Sequence, residues 1–178
     1  MKIDKILICF WLDKYNKEED LYTKGTEEEL RIKFQKNKCV TKEDLMQVIK
    51  WKFQGRLKGR KKRLQNLLED VDANYIKEVS RLAFETENDD IRFVLFESIK
   101  GVGPAITSVI LSFYDQNKYG VMDIHSWREL FGKEPNTLFL QNKYLLKFIG
   151  KLREISKEVG LSCRDIEKAL FKKNYDES

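Results

Sequence analysis

The apolar residues Leu145, Phe148, Ile149, Leu152, Ile155 and Val159 recur three and four positions apart, and Gly160 follows the last of them. That spacing lays one apolar stripe along an α-helix and would scatter the same side chains over both faces of a strand. The pattern returns along the chain: Leu45, Val48 and Ile49; Leu64, Leu67, Leu68 and Val71; Ile76, Val79, Ala83 and Phe84; the strongly apolar Ile91–Ile99; and Ile166, Ala169 and Leu170. No stretch alternates strictly between apolar and polar residues, as the strands of a sandwich or barrel would. The chain is therefore expected to be all-α, a compact helical bundle. Its 178 residues, 42% of them hydrophobic, suit a single domain. N-terminal helices are expected over 1–40, a core over 41–131 and C-terminal helices over 132–173.

Local signals divide the helices. Thr26-Glu27-Glu28-Glu29 reads as a capping box, and Thr41-Lys42-Glu43-Asp44 resembles one with Asp in place of Glu. Asp72 or Asn74 suits the start of the Ile76 helix, and Ser162 the start of the last one. The polar stretch Glu85–Asp90 reads as a loop, and Asn174–Ser178 as a fraying end.

Several function classes drop out. No run approaches the ~18 apolar residues of a membrane span. The short Ile6–Leu12 run ends in Asp13-Lys14 with no small-residue cleavage site behind it, so no signal peptide is expected. A cytoplasmic, nucleoid-associated location is the expectation. Cys9, Cys39 and Cys163 are far apart, never in a Cys-x-x-Cys pair, and read as buried reduced thiols; His125 is the lone histidine. Zinc and iron–sulfur sites cannot be built from them. No Walker loop or Gly-x-Gly-x-x-Gly motif opens a nucleotide-binding unit.

The net charge of +5 is concentrated. From Lys50 to Arg63 eight cations stand in fourteen positions with no acid, and the rest of the chain carries 26 cations against 29 acids. Such a cluster attracts a polyanion, because each phosphate it neutralises releases counterions. Lys52, Arg56, Arg60, Lys61, Lys62 and Arg63 are the candidate phosphate contacts. Trp51 and Phe53 lie among them and are read either as base-stacking rings or as inward-packing side chains.

A second feature follows the apolar Ile91–Ile99 helix. Lys100-Gly101-Val102-Gly103 forms a four-residue turn, and Pro104 opens a new helix whose buried face is Ile106, Val109, Ile110 and Phe113. The glycines let the backbone approach another molecule, and a helix N-terminus presents free amides to a phosphate. Lys100, Gly101, Val102, Gly103 and Ala105 are candidate contacts on that basis. Taken alone, an ordinary helical hairpin would look the same.

Asp123 follows Ala105 by 18 positions, within Val121-Met122-Asp123-Ile124-His125-Ser126-Trp127. Together, Gly-Val-Gly-Pro-Ala and this aspartate segment resemble the signature of the helix-hairpin-helix DNA glycosylase superfamily, which includes endonuclease III and the 8-oxoguanine glycosylases. The likeness covers Ile99–Trp127, with a weaker helix pattern over 41–171. It implies an all-helical fold, a helix-hairpin-helix at 91–113 gripping a DNA phosphate, and Asp123 at the cleft that receives a flipped nucleotide. It implies no cofactor beyond a structural monovalent cation held by the carbonyls of Glu97, Ile99 and Val102. It also places His125 near the DNA, against the reading of a histidine packed on a neighbouring helix; Trp127 reads as core. The implied partner is double-stranded DNA with a damaged or mispaired base, bound by a monomer, with no membrane.

The chain departs from the family at two points. The lysine that attacks the sugar in bifunctional members is replaced by Ala105, and the iron–sulfur cysteines are absent. The resemblance therefore implies a monofunctional glycosylase without strong strand cleavage, unless Lys100, Lys118 or another lysine reaches the sugar. Asp123 would stabilise positive charge on the sugar and activate water, and it would also serve as a helix cap. A non-catalytic DNA-binding module is the alternative, and a helical protein-interaction domain a third. Glu43, Asp44 and the 85–90 segment read as solvated surface.

Overall fold

The computed structural model describes residues 4–54 and 58–178. All its regular structure among them is helical: α1 (Lys5–Glu18), α2 (Leu21–Asn37), α3 (Lys42–Lys52), α4 (Lys58–Glu69), α5 (Ala73–Glu85), α6 (Asp89–Glu97), α7 (Pro104–Tyr114), α8 (Ile124–Phe131), a 3-10 turn at Leu138–Leu140, α9 (Asn142–Val159) and α10 (Cys163–Glu177). Helix α7 lies at the centre. Ile106, Val109, Ile110, Leu111 and Phe113 are all buried, and so are Thr107, Ser108 and Ser112 between them. A helix buried on every side has neighbours on every side. Here they are α2, α3, α6 and α9. Helix α10 packs along α1 and α8 and closes the other side of the molecule.

The caps explain where the helices begin. Thr41 and Asp44 form the reciprocal box, Asp72 caps α5, Ser162 caps α10, and Gly160 ends α9 in the left-handed conformation. The Thr26 box is not used. Asp20 caps α2 instead, its carboxylate accepting from the Thr23 amide at 2.9 Å, and Thr26 lies inside the helix. The expected 85–90 loop shrinks to 86–88, because Asn88 caps α6. Asp44 and Asp89 are not solvated: Asp44 is buried in its capping box, and Asp89 binds Arg92, Tyr119 and Arg153. Residues 174–177 continue α10, tied by Asp176 to Lys14 and Lys172. Cys9 is exposed; Cys39 and Cys163 are buried.

One ion cluster stands inside the core. The Arg164 guanidinium, 3% exposed, bonds Glu27 of α2 at 2.7 Å and also Glu167 one turn along α10. Burial pushes the Glu27 carboxyl up, but the charges of Arg164 and Lys168 outweigh it and hold the carboxyl low. For Glu167 burial prevails over Arg164 and Lys52, and its carboxyl is raised. Arg164→Met would strand two buried carboxyls. It is expected to cost about 3–5 kcal/mol, read from urea unfolding.

Asp89 gives a pH-dependent term. Burial raises its carboxyl, yet the hydrogen bonds of Arg153 and Tyr119 and the charges of Arg153 and Arg92 leave it below its usual 3.8. A carboxyl depressed in the folded state stabilises that state above the unfolded value, and the gain disappears as pH falls through the folded value. Asp89→Asn should therefore lower stability at neutral pH and flatten the acid limb below about pH 4 in the same measurement.

Candidate functional site

Asp123 is the N-cap of α8, and its two oxygens face different ways. Oδ1 accepts from the His125 amide at 3.0 Å, while Oδ2 lies 3.6 Å from Lys52 Nζ. The capping role holds the carboxylate rigidly, and its side chain keeps 27% exposure. It opens on a cleft of about 450 Å³ lined by the rings of Tyr15, Trp51, Phe171 and Tyr175, with Lys52, Gln54 and Glu167 among the polar groups. A larger hollow of about 1070 Å³ lies around Tyr114 and Asp89. Its Asp89, Arg92, Tyr119 and Arg153 satisfy one another, and Asp123 is not in it. The smaller cleft is the better candidate because an open carboxylate stands at its wall.

Three elements fix Asp123. The Val121 amide donates to Glu167 Oε2 at 3.2 Å, joining the segment to the buried cluster. The Met122 amide donates to Ser108 Oγ at 2.9 Å, and Ser108 in turn donates to the Ala105 carbonyl at 2.7 Å. The aspartate is thus two hydrogen bonds from the turn that begins α7. Before it, Gly120 lies against α10. A Cβ there would come 2.6 Å from Leu152 Cδ1, 2.9 Å from Glu167 Cβ and 3.1 Å from the Cys163 carbonyl oxygen.

The glycine turn runs from the end of α6 to Pro104. Gly101 has φ 91°, which a side chain would oppose. Gly103 caps α7 with extended backbone, and a Cβ there would meet only the Phe139 carbonyl oxygen at an ordinary 3.8 Å. Its missing side chain is therefore not required by the protein's own packing. Among the described residues, the amides of Gly101, Gly103 and Ala105 have no backbone partner. Val102 is buried, and its amide donates to the Ile99 carbonyl at 2.9 Å. Glu97 Oε2 accepts from Asn142 at 2.8 Å, and burial raises that carboxyl. No cluster of three or more His, Cys, Asp or Glu side chains able to hold a metal occurs among the described residues.

The basic run divides. Arg56 lies outside the described residues, as do the side chains of Arg60, Lys61 and Arg63, whose backbone belongs to α4. Lys62 is exposed. Lys52 is not set outward: it is 10% exposed, donates to the Met122 carbonyl at 3.0 Å and faces Asp123. Trp51 packs inward, edge-on to Phe113, and donates to the Thr23 carbonyl at 3.0 Å. At the far end of α4, Asp70 lies 3.9 Å from Lys100. The start of the run therefore lies at the Asp123 cleft, and the residue that follows α4 lies beside Lys100 of the glycine turn. His125 packs on α10, its Nδ1 3.1 Å from Asn174 Oδ1 and its ring edge-on to Phe171 and Tyr175. Trp127 is core. Lys100 and Lys118 are exposed beside Asp70 and Asp115, away from the cleft lining.

Sequence reasoning did not single out Gly120, Arg164, Glu167 or the ring pair Phe171–Tyr175. A signal existed for Glu167, which shares the helical face of Cys163 and Leu170 and so had to be buried or to break the stripe. Nothing in the sequence distinguishes Gly120 from a turn glycine. The chain matches no protein-family model, and comparisons with curated proteins and with solved structures find no match. No helix among the described residues is long and apolar enough to cross a membrane.

Gly120→Ala should force the 119–123 segment off α10 and cost about 1–3 kcal/mol in a denaturant melt. Adding Leu152→Ala should relieve part of that clash without restoring stability, since Glu167 Cβ and the Cys163 carbonyl remain and the lost buried side chain leaves a cavity.

Proposed function

We propose that this chain binds double-stranded DNA and removes a damaged or mispaired base by hydrolysing its N-glycosidic bond, with Asp123 as the catalytic carboxylate. The observation that carries this reading is a rigid, partly open aspartate on the wall of a ring-lined cleft, two hydrogen bonds from a glycine turn with unpartnered amides. Breaking the bond builds positive charge on the sugar, and a fixed carboxylate stabilises that charge and orients a water for attack at the anomeric carbon. A base can reach such a group only after leaving the stack, and aromatic walls suit a planar guest. The turn's amides suit one phosphate, and the basic run others along the same strand. A monovalent cation on the Glu97, Ile99 and Val102 carbonyls would add positive charge beside that phosphate.

The second reading is a DNA-binding module without chemistry. The Lys52–Asp123 pair favours it, because a paired carboxylate can be purely structural.

Duplexes carrying single defined lesions, treated with protein and then alkali, separate the two. Excision is expected on at least one lesion, and Asp123→Asn should reduce it by about 10²–10³-fold while keeping the fold, since Asn caps as well as Asp. Tight binding with no excision on any lesion would select the binding module. Removing charge at Arg60, Lys61, Lys62 and Arg63 should weaken binding and flatten its salt dependence by roughly one unit per lost phosphate contact. Gly103→Ser should leave the melting temperature nearly unchanged, because serine caps well and the protein has room for its Cβ. DNA affinity should nevertheless fall, by blocked backbone approach.

A further inference from the structure

We propose that the groove between α5 and α6 is a docking surface for a lysine- or arginine-rich amphipathic helix of a partner protein. The two helices pack side by side and run in opposite directions. At one end the Tyr75 hydroxyl donates to Ser98 Oγ at 2.9 Å, and near the other Arg92 Nε donates to the Ala83 carbonyl at 2.9 Å. Leu82 stands seven residues after Tyr75, and Ile91 seven before Ser98. Seven residues are close to two helical turns, so Leu82 and Ile91 repeat the Tyr75–Ser98 alignment further along the groove. Val94 lies one turn from Ile91 on α6. Leu82, Ile91 and Val94 are 48%, 52% and 62% exposed, and Tyr75 is exposed beside them. Single exposed apolar side chains are ordinary, but four along one groove make a patch for a partner to cover.

The charge around the patch selects the partner. From Glu78 to Asp90 five acids stand against one cation, Arg81. Asp89 turns inward to Arg92 and Arg153, while Glu78, Glu85, Glu87 and Asp90 are exposed. Arg81 is tied to Glu78 and Glu85. Glu87 and Asp90 make no ion pair among the described residues. Such a rim repels phosphate, so neither DNA nor an anionic membrane suits this face. A second copy docked about a twofold axis would bring the same acids together. A third helix fills a groove between two others with apolar residues at i, i+3, i+4 and i+7, and cations along its edges meet Glu87 and Asp90. None of these residues lines the Asp123 cleft, so the docking surface stands whether or not a base is excised there.

The test uses the full chain and two labelled synthetic peptides about sixteen residues long, enough to form a helix. One carries leucine at i, i+3, i+4 and i+7 with lysine elsewhere, and the other has the same composition with the apolar stripe scrambled. Fluorescence anisotropy should show saturable, micromolar binding of the first peptide and roughly tenfold weaker binding of the second. Methyl NMR should place the shifts on Leu82, Ile91 and Val94 and leave Ile6, Leu7 and Leu140 unmoved. Ile91→Lys with Val94→Lys, both on the surface, should weaken binding roughly tenfold or more. Glu87→Gln with Asp90→Asn should weaken it less and reduce its salt dependence. No saturable binding, equal binding of the scrambled peptide, shifts centred elsewhere, or full affinity in the Ile91 and Val94 variant would overturn the proposal. So would a dimer in sedimentation that this variant abolishes, since the face would then belong to a second copy. If the variant does not fold, the methyl shifts on the unaltered chain decide alone.

Discussion

A guanidinium removed from water is tolerable only where acceptors meet its N–H groups, and Arg164 is such a case. One partner is remote, Glu27 of α2, and one is local, Glu167 one turn along its own helix, with the Trp51 ring of α3 lying 5.5 Å away. Its backbone amide adds the Gln116 carbonyl at 3.0 Å, which anchors the segment following α7. Glu167 then uses the same oxygen to accept from Val121, two residues before Asp123. The cluster therefore does more than join α2 to α10. It sets the height at which the aspartate leaves the core, and Gly120 lets the chain lie close enough for that bond to form. Apolar packing alone would hold the helices together without specifying that register.

The other support of the site comes from α7. Ser108 accepts from Met122 and donates to Ala105, so a single hydroxyl on the first turns of that helix links the glycine turn to the aspartate segment. A serine in a buried helix usually satisfies itself on the preceding turn. Here the same oxygen also fixes a neighbouring strand of chain. The cleft wall and the turn are consequently parts of one rigid unit, with α10 closing the far side through Phe171 and Tyr175.

Much of the helical frame was legible in the sequence, because periodic stripes such as Leu145–Val159 carry their own address and caps such as Thr41, Ser162 and Gly160 mark the ends locally. The misread ends have a common cause. Thr26 carries a cap sequence, yet Asp20 upstream starts the helix first, and a cap motif inside a running helix has no free amides to satisfy. Asn174–Ser178 looks polar enough to fray, but Asp176 pairs with Lys172 one turn back and with Lys14 across the α1 interface, which local reading cannot see. For the site, Asp123 and the turn stood out by spacing. Lys52 did not: eight cations within fourteen positions read as one surface, and only tertiary structure shows that Lys52 turns inward. Arg164 was hidden because Glu27, its other carboxylate partner, is remote in sequence.

Helix α7 is walled in on every side, and it carries both the glycine turn and the anchor of Asp123 within its first turns. No joint separates the two. A closed packing of this kind deforms little, so the span from turn to carboxylate is a constant of the protein. Any ligand that engages both ends must supply the bending itself. For a double helix that energy depends on the step being bent and is least where stacking is already weak. A stiff protein ruler of this sort would thus sort its ligands by their compliance, before a single atom of the reacting group has been touched.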